Sequence, residues 1–324
     1  MSSPSPYHAG ALRPSWSELP AALRAAIADR LGAPVVTARV AAAGFTRGFA
    51  AVLHTADGGR AFVKAAPAVA QPHLVQGYAR EAAILDRLPA DLPAPRLRWT
   101  LDAAGWFALC ADAVDGQVPH LPWTRAELDA TLAAYAEVAA ALADPPTGLT
   151  ALGLPRLADL ARSDILWWKE VAAGREPLPA LPAAARGRLP ELVALESRLP
   201  GYADRATGVL HGDLRVDNVL IDPDGRAWLC DWTWACTGPA WFDLVTLLLT
   251  AYGGGLDVDR IFAAQPASAG APPDALDVTL AALAGYYLTG ADATPVTASP
   301  HRAAHQRSSG AQALDWLARR QGWR

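Results

Sequence analysis

Through "VVTARVAA", "FAAVLHT" and "RAFVKAA" (residues 35–66) apolar and polar positions alternate with a period close to two. That pattern predicts three antiparallel strands, joined by "GFTRG" and by a turn carrying Asp57-Gly58. On either side the period lengthens to that of a helix. "SWSELPAALRAAIADRLG" has Ser15 with Glu18 three residues on and stops at Gly32, so it reads as a capped N-terminal helix, and "LVQGYAREAAILDRL" as a second. "WFALCADAVDG" reads as a strand running into a turn at Asp115-Gly116, after which the chain is predominantly helical. "TRAELDATLAAYAEVAAALADPP" is a long helix stopped by Pro145-Pro146, and "AAQPASAGAPPD" (263–274) is expected to be a mobile loop. "AQALDWLARRQGW", with Leu314 and Leu317, fits a docked last helix. The change of pattern near 112–118 divides the chain into a helical extension over 1–32, a five-stranded lobe over 33–115 and a helical lobe over 116–324, an α+β organisation.

Composition supports the division. A chain of 324 residues exceeds the ~250–300 at which one core stops growing. It is 52% hydrophobic but has no uninterrupted apolar run of membrane-spanning length, and "MSSPSPYHAG" lacks the basic-then-apolar order of a secretion signal. A cytoplasmic globular protein without a membrane partner is expected. The formal net charge of −4 gives no attraction to nucleic acid. Cys110, Cys230 and Cys236 form no CxxC pair and read as small buried hydrophobes rather than a disulfide framework or zinc site. Residues 201–300 hold twelve acids against four arginines, either a solvated face or a site for a cation.

The chemistry concentrates in "VLHGDLRVDNVLID" (209–222), where His211, Asp213, Asp217 and Asn218 stand between two short apolar runs. "AWLCDW" follows a turn at Pro223-Asp224-Gly225, so a hairpin brings Asp231 back towards Asp213 and Asn218. An acid, an amide four intervening residues on and a second acid suit phosphoryl transfer from a nucleotide. One carboxylate accepts the proton of the attacking hydroxyl, while the amide and the other carboxylate hold magnesium ions on the phosphates. The alternative is that these are ordinary turn and capping residues. Lys64 weighs against it, being one of only two lysines beside 26 arginines and standing at the end of the third strand. A compact ammonium there suits the α- and β-phosphates, with Glu81 on the next helix as its partner.

"HGDLRVDN" followed by "CDW" resembles the catalytic and metal-binding motifs of the aminoglycoside phosphotransferase family, relatives of the protein kinases. The resemblance covers most of the chain and includes "FVK", the helix of Glu81, the turn "VDG" and "GPAWFDL". It implies a protein-kinase-like fold in two lobes, with Asp213 as catalytic base, Asn218 and Asp231 as Mg2+ ligands, and His211 and Asp243 as braces of the catalytic loop. ATP or GTP would lie beneath Gly44, Thr46 and Gly48, against Lys64 and Glu81, with its base on backbone groups near Ala111 and Ala113. Two positions depart from the family: Thr233 stands where an acid often follows Asp-Trp, and Arg215 stands two residues after the base. Arg215 either reaches the transferred phosphoryl group or pairs with Asp217. The acid-rich stretch favours a small cationic acceptor such as an aminoglycoside or a basic peptide antibiotic, with a neutral sugar, an amino alcohol or a nucleoside as alternatives. Trp232, Trp234 and Trp241 are either stacking faces or packing. A nucleotide-binding module without turnover is the reading from another class. A protein kinase is disfavoured, since no Ala-Pro-Glu sequence follows Asp231, and no obligate protein partner is evident.

Overall fold

The computed structural model describes residues 12–42, 44, 46–293 and 300–323; the opening residues 1–11 and Phe45 of the glycine-flanked loop lie outside them. Strands β1 (Val35–Val40), β2 (Phe49–Thr55), β3 (Arg60–Pro67), β4 (Leu97–Ala103) and β5 (Trp106–Ala111) form one antiparallel sheet in the order β1-β2-β3-β5-β4. The first three are the expected meander. The fifth strand of the expected lobe is β4, at the sheet edge, where alternate residues are exposed.

Helix α1 (Ala21–Leu31) packs on one face of the sheet, burying Leu23 and Ile27 against Phe49, Leu53 and Val63. Each such side chain contributes about 1.5–3 kcal/mol when fully buried. The capping box of Ser15 and Glu18 is present, but it closes a short 3-10 turn (Trp16–Glu18) and not the helix. The helix starts later than the sequence suggested because Pro20, with its fixed φ, makes a new N-terminus ahead of Ala21. Gly32 ends it in the left-handed conformation, at φ 82°. Helix α2 (Pro72–Leu85) covers the other face. Side chains alternate along a strand, so Val63 and Ala65 join the α1 side while Lys64 turns towards α2.

Beyond β5 an extended segment leads to α3 (Arg125–Ala141), capped by Thr124 and Glu127. Short helices α4 (Thr147–Thr150), α5 (Leu157–Leu160), α6 (Trp168–Ala172), α7 (Leu189–Glu196) and α8 (Leu199–Ala203) follow. Strand β6 (Val209–Leu210) pairs with β9 (Cys236–Thr237), and between them lies the expected hairpin of β7 (Val219–Ile221) and β8 (Ala227–Leu229). Helix α9 (Trp241–Gly253) is buried from Trp241 to Ala251 and forms the centre of the second lobe, flanked by α10 (Val258–Ala264), α11 (Ala275–Ala293) and α12 (Pro300–Arg320). Leu314, Trp316 and Leu317 seat α12 in the core.

The stretch 263–274 is not the loose loop its composition suggested. Ser268 Oγ donates to Phe262 O at 2.7 Å and to Gln265 O at 2.8 Å, and Ala267 and Ala271 pack on the core. Pro and Gly here make a tight turn rather than a flexible tether. Among the described residues no helix is long and apolar enough to cross a membrane, and the three cysteines are free.

Candidate active site

Lys64 on β3 and Glu81 on α2 meet in the cleft below the sheet. Nζ donates to Oε1 at 2.9 Å and Oε2 at 2.7 Å, and it also stands 3.1 Å from Asp231 Oδ1. Burial acts oppositely on the partners: it pushes the Glu81 carboxyl up, to about 7, against the pull of Lys64. For Lys64 burial works against the charge, but Asp231 and Glu81 outweigh it and the pKa rises. We assign the ion-paired form, since both Glu81 oxygens lie on the ammonium. Asp231 behaves differently: burial would raise it, yet Lys64 and the Thr233 hydroxyl hold it near 2. Thr233 Oγ1 donates to Asp231 Oδ1 at 2.8 Å and is 3.3 Å from Glu81 Oε2. A hydroxyl at this position thus joins the two acids where another acid would repel them. Asp231 is itself in the left-handed region, at φ 63°, a conformation costing a non-glycine residue about 1–2 kcal/mol and pointing to a functional constraint.

The loop after β6 is fixed from beneath by Asp243, in the first turn of α9. Its carboxylate accepts from His211 N at 2.7 Å and Gly212 N at 3.0 Å. His211 is fully buried, and desolvation drops its pKa to about 4, so the ring is neutral. Its contacts assign the tautomer: Nε2–H donates to Cys230 O at 2.8 Å, and Nδ1 accepts from Asp213 N at 3.3 Å. His211 therefore ties the loop of Asp213 to the strand end that carries Asp231.

Asp213 is held by two neighbours. Asn218 Nδ2 donates to its backbone O at 2.7 Å and lies 3.3 Å from Oδ2, and Arg215 Nη1 is 3.1 Å from Oδ1. Burial pushes the Asp213 carboxyl up to about 7, with Arg215 opposing and Asp217 and Asp231 adding to the rise. The same Arg215 clasps Asp217 through Nε at 3.1 Å and Nη2 at 3.0 Å. Of the two uses expected for Arg215, pairing with Asp217 is present, but the pairing is half-buried and reaches Asp213 as well. The Asp217 side chain is 1% exposed, not that of a surface turn residue, and it holds Arg215 beside Asp213.

Asn218 spends its amide nitrogen on Asp213, which leaves Oδ1 as the atom for a cation. With Asp231 it makes an all-oxygen pair of one amide and one carboxylate. No cluster of three or more His, Cys, Asp or Glu that could hold a metal occurs among the described residues. The pair nevertheless fits magnesium, which takes few protein oxygens and completes its shell with water and phosphate.

In the loop between β1 and β2, Gly44 is at φ 87°, Gly48 is buried and Thr46 is exposed. Ala111 ends β5, paired with Phe62 and Leu97, and Asp112 N donates to Arg96 O at 2.9 Å. Ala113, two residues on, borders a cavity of about 560 Å³ with Arg96, Asp112, Arg226 and Trp228. That cavity holds none of Lys64, Asp213, Asn218 or Asp231 and is separate from the chemistry. The tryptophans divide: Trp232 and Trp241 are packing, while Trp234 is 59% exposed. Of the nine acids of 201–300 outside the machinery, six (Asp204, Asp217, Asp259, Asp274, Asp277 and Asp292) pair with arginines. The local acid excess is therefore no measure of the charge of an acceptor.

The profile of the phosphotransferase enzyme family matches residues 41–277, most of the chain. A comparison with curated proteins found no match. Among solved structures, the chain is similar to the aminoglycoside 2′-phosphotransferase-IIIa in complex with GDP, at 17% identity and a TM-score of 0.64, covering 93% of this chain and 100% of that one. It is similar to a thermostable mutant of the aminoglycoside phosphotransferase APH(4)-Ia in ternary complex with ADP and hygromycin B, at 14% identity, TM-score 0.58, and 92% and 98% coverage. A fructosamine-3-kinase homologue from Haemophilus somnus 129PT follows at 12% identity, TM-score 0.54, and 90% and 97% coverage. Fold and family together define a protein-kinase-like phosphotransferase with an alcohol group as acceptor. The chain belongs to the phosphotransferase enzyme family, that of the aminoglycoside phosphotransferases.

Proposed function

We propose that the protein moves the γ-phosphoryl group of ATP or GTP to a hydroxyl of a small molecule, with residues 33–115 as the nucleotide lobe and 116–324 carrying the acceptor. The observation that carries this reading is the meeting of the Lys64–Asp231 contact, 3.1 Å, with Asp213 and Asn218, 3.3 Å apart, on the two strand ends joined by His211. Lys64, oriented by Glu81, binds phosphate oxygens beneath Gly44, Thr46 and Gly48, and the base rests on backbone groups near Ala111 and Ala113. Asp213, with its carboxyl near 7, takes the proton of the attacking hydroxyl, and Arg215 and Asn218 keep its two oxygens in place. Magnesium, where bound by Asn218 Oδ1 and Asp231, supplies positive charge for the phosphate oxygens. Catalysis is then chiefly positioning and electrostatics.

The family relationship makes a small cationic acceptor of the aminoglycoside type the first to test. A sugar or amino alcohol is the second reading, favoured by the pairing of six of the nine acids with arginines. The protein is expected to work in the cytoplasm. Purified protein with ATP or GTP and magnesium, offered aminoglycosides, basic peptide antibiotics, sugars and amino alcohols, should yield one product heavier by a phosphoryl group in mass spectrometry. Nucleotide binding with no product from any acceptor would instead support a binding module without turnover.

A further inference from the structure

The residues just ahead of α1 enter the cleft. Arg13 Nη1 lies 3.4 Å from Gly48 O, and a Cβ on Gly44 would come within 2.7 Å of Arg13 Nη2. The guanidinium is thus flanked by both glycines that bound the loop. From the other side, Tyr78 of α2 is 3% exposed, and a Cβ on Gly48 would collide with its hydroxyl. Lys64 Nζ stands 5.7 Å from the centre of the Tyr78 ring. Thr46 and Arg13 stand within hydrogen-bonding reach of the buried hydroxyl, so phenol, guanidinium and threonine form one polar cluster beneath the loop. A guanidinium and a phenolic hydroxyl side by side both offer N–H or O–H donors, and an anionic ligand oxygen is an acceptor that suits both.

The local charge points the same way. Lys64 is one cation between two carboxylates, Glu81 and Asp231, which leaves a net negative site for a polyanion. Arg13, whose charge is felt at both Tyr78 and Asp231, brings the local count to zero.

We propose that Arg13 and Tyr78 bind the phosphate oxygens of the nucleotide together with Lys64, making the segment ahead of α1 part of the nucleotide site. Phosphate oxygens accept from both a guanidinium and a phenolic hydroxyl. The glycines of the loop then have a reason beyond backbone freedom: only Gly44 and Gly48 let these two side chains reach under it. The inference rests on the phosphotransferase reading.

Titration calorimetry with the nucleoside, its diphosphate and its triphosphate, in the adenine or guanine series that the wild type binds, tests it on Arg13→Gln and Tyr78→Phe. Phenylalanine keeps the ring that packs against Lys64 and removes only the hydroxyl, so it remains informative if the Arg13 variant folds poorly. The dissociation constant should rise about tenfold for the di- and triphosphate in Arg13→Gln, the order expected for a lost charge-assisted hydrogen bond, and by a smaller factor in Tyr78→Phe. Nucleoside affinity should not change in either. Equal losses across the series would mean that both residues merely support the loop, and wild-type constants in both variants would likewise overturn the inference. A wild type that binds none of the ligands would be a different result, one that overturns the phosphotransferase reading itself.

Discussion

Arg215 Nη1 stands 3.1 Å from Asp213 Oδ1, so the carboxylate proposed to receive a proton is already in contact with a half-buried cation. Burial pushes Asp213 up to about 7 and Arg215 works against that rise. The base acts ionised, so kcat/KM should fall as pH drops through about 7. Removing the guanidinium removes the opposing influence, and Arg215→Ala should move this acid limb to higher pH and lower kcat. Lysine should restore part of the position, since it returns charge without the fork that clasps Asp217. Profiles of kcat/KM against pH for the three proteins decide the matter: a limb that stays in place or moves to lower pH excludes the coupling.

Asp213→Asn should separate binding from chemistry. The contacts proposed to face the nucleotide, Lys64 with Glu81 and Asp231, do not involve Asp213, and an amide can still meet Asn218. Nucleotide affinity should stay within about twofold while kcat falls by ~10²–10⁴, the range for a lost general base. The dissociation constant and kcat are to be read on the same preparation; full turnover in the variant would remove Asp213 from the chemistry.

Much of the site was legible because it lies in local patterns. Period-two alternation put Lys64 on the face of β3 opposite Val63, and one helix later Glu81 was the central acid. What escaped depends on tertiary arrangement. Ion pairs such as Asp204 with Arg156 and Arg162 join residues more than forty positions apart, so no count along the chain separates a paired acid from a free one. Arg215 could be placed near Asp217 but not near both carboxylates, since that needs the turn of Val216–Asn218. Pro20 in "SELPAAL" was a signal within reach, because a proline behind a capping box restarts the helix. Tyr78, three residues before Glu81 and hence on the same face of α2, was another.

Breaking the buried pair at the centre should be costly and partly reversible. Lys64→Met leaves Glu81 and Asp231 without their cation, and an uncompensated buried charge destabilises by about 3–5 kcal/mol. Adding Glu81→Leu removes one of the stranded acids and should recover part of that stability without recovering activity, since the ammonium proposed to bind phosphate is still missing. Denaturant unfolding of the single and double variants checks this. A double variant no more stable than Lys64→Met would show that the loss arises from packing instead of charge.

Two glycines with nearly the same backbone separate strain from contact. Gly212 is at φ 79° and Gly225 at φ 80°, so alanine at either position carries a left-handed penalty of about 1–2 kcal/mol. Around Gly225, in the turn of the β7–β8 hairpin, a Cβ would meet nothing within 4 Å. At Gly212 it would collide with the backbone oxygen of Trp234 and approach Cys236 Sγ to 3.5 Å. Backbone oxygen cannot step aside as a flexible side chain does, so the loop or the segment after Asp231 must move. That movement would disturb the Asp243 contacts to His211 N and Gly212 N and with them the placement of Asp213. Gly225→Ala should therefore lower the melting temperature modestly and keep wild-type kcat, whereas Gly212→Ala should destabilise more and lose most of its kcat even at temperatures where it remains folded. Thermal melts paired with turnover measured well below each midpoint distinguish the two effects; if Gly212→Ala kept its kcat, the close approach of Trp234 would not be what sets the catalytic loop.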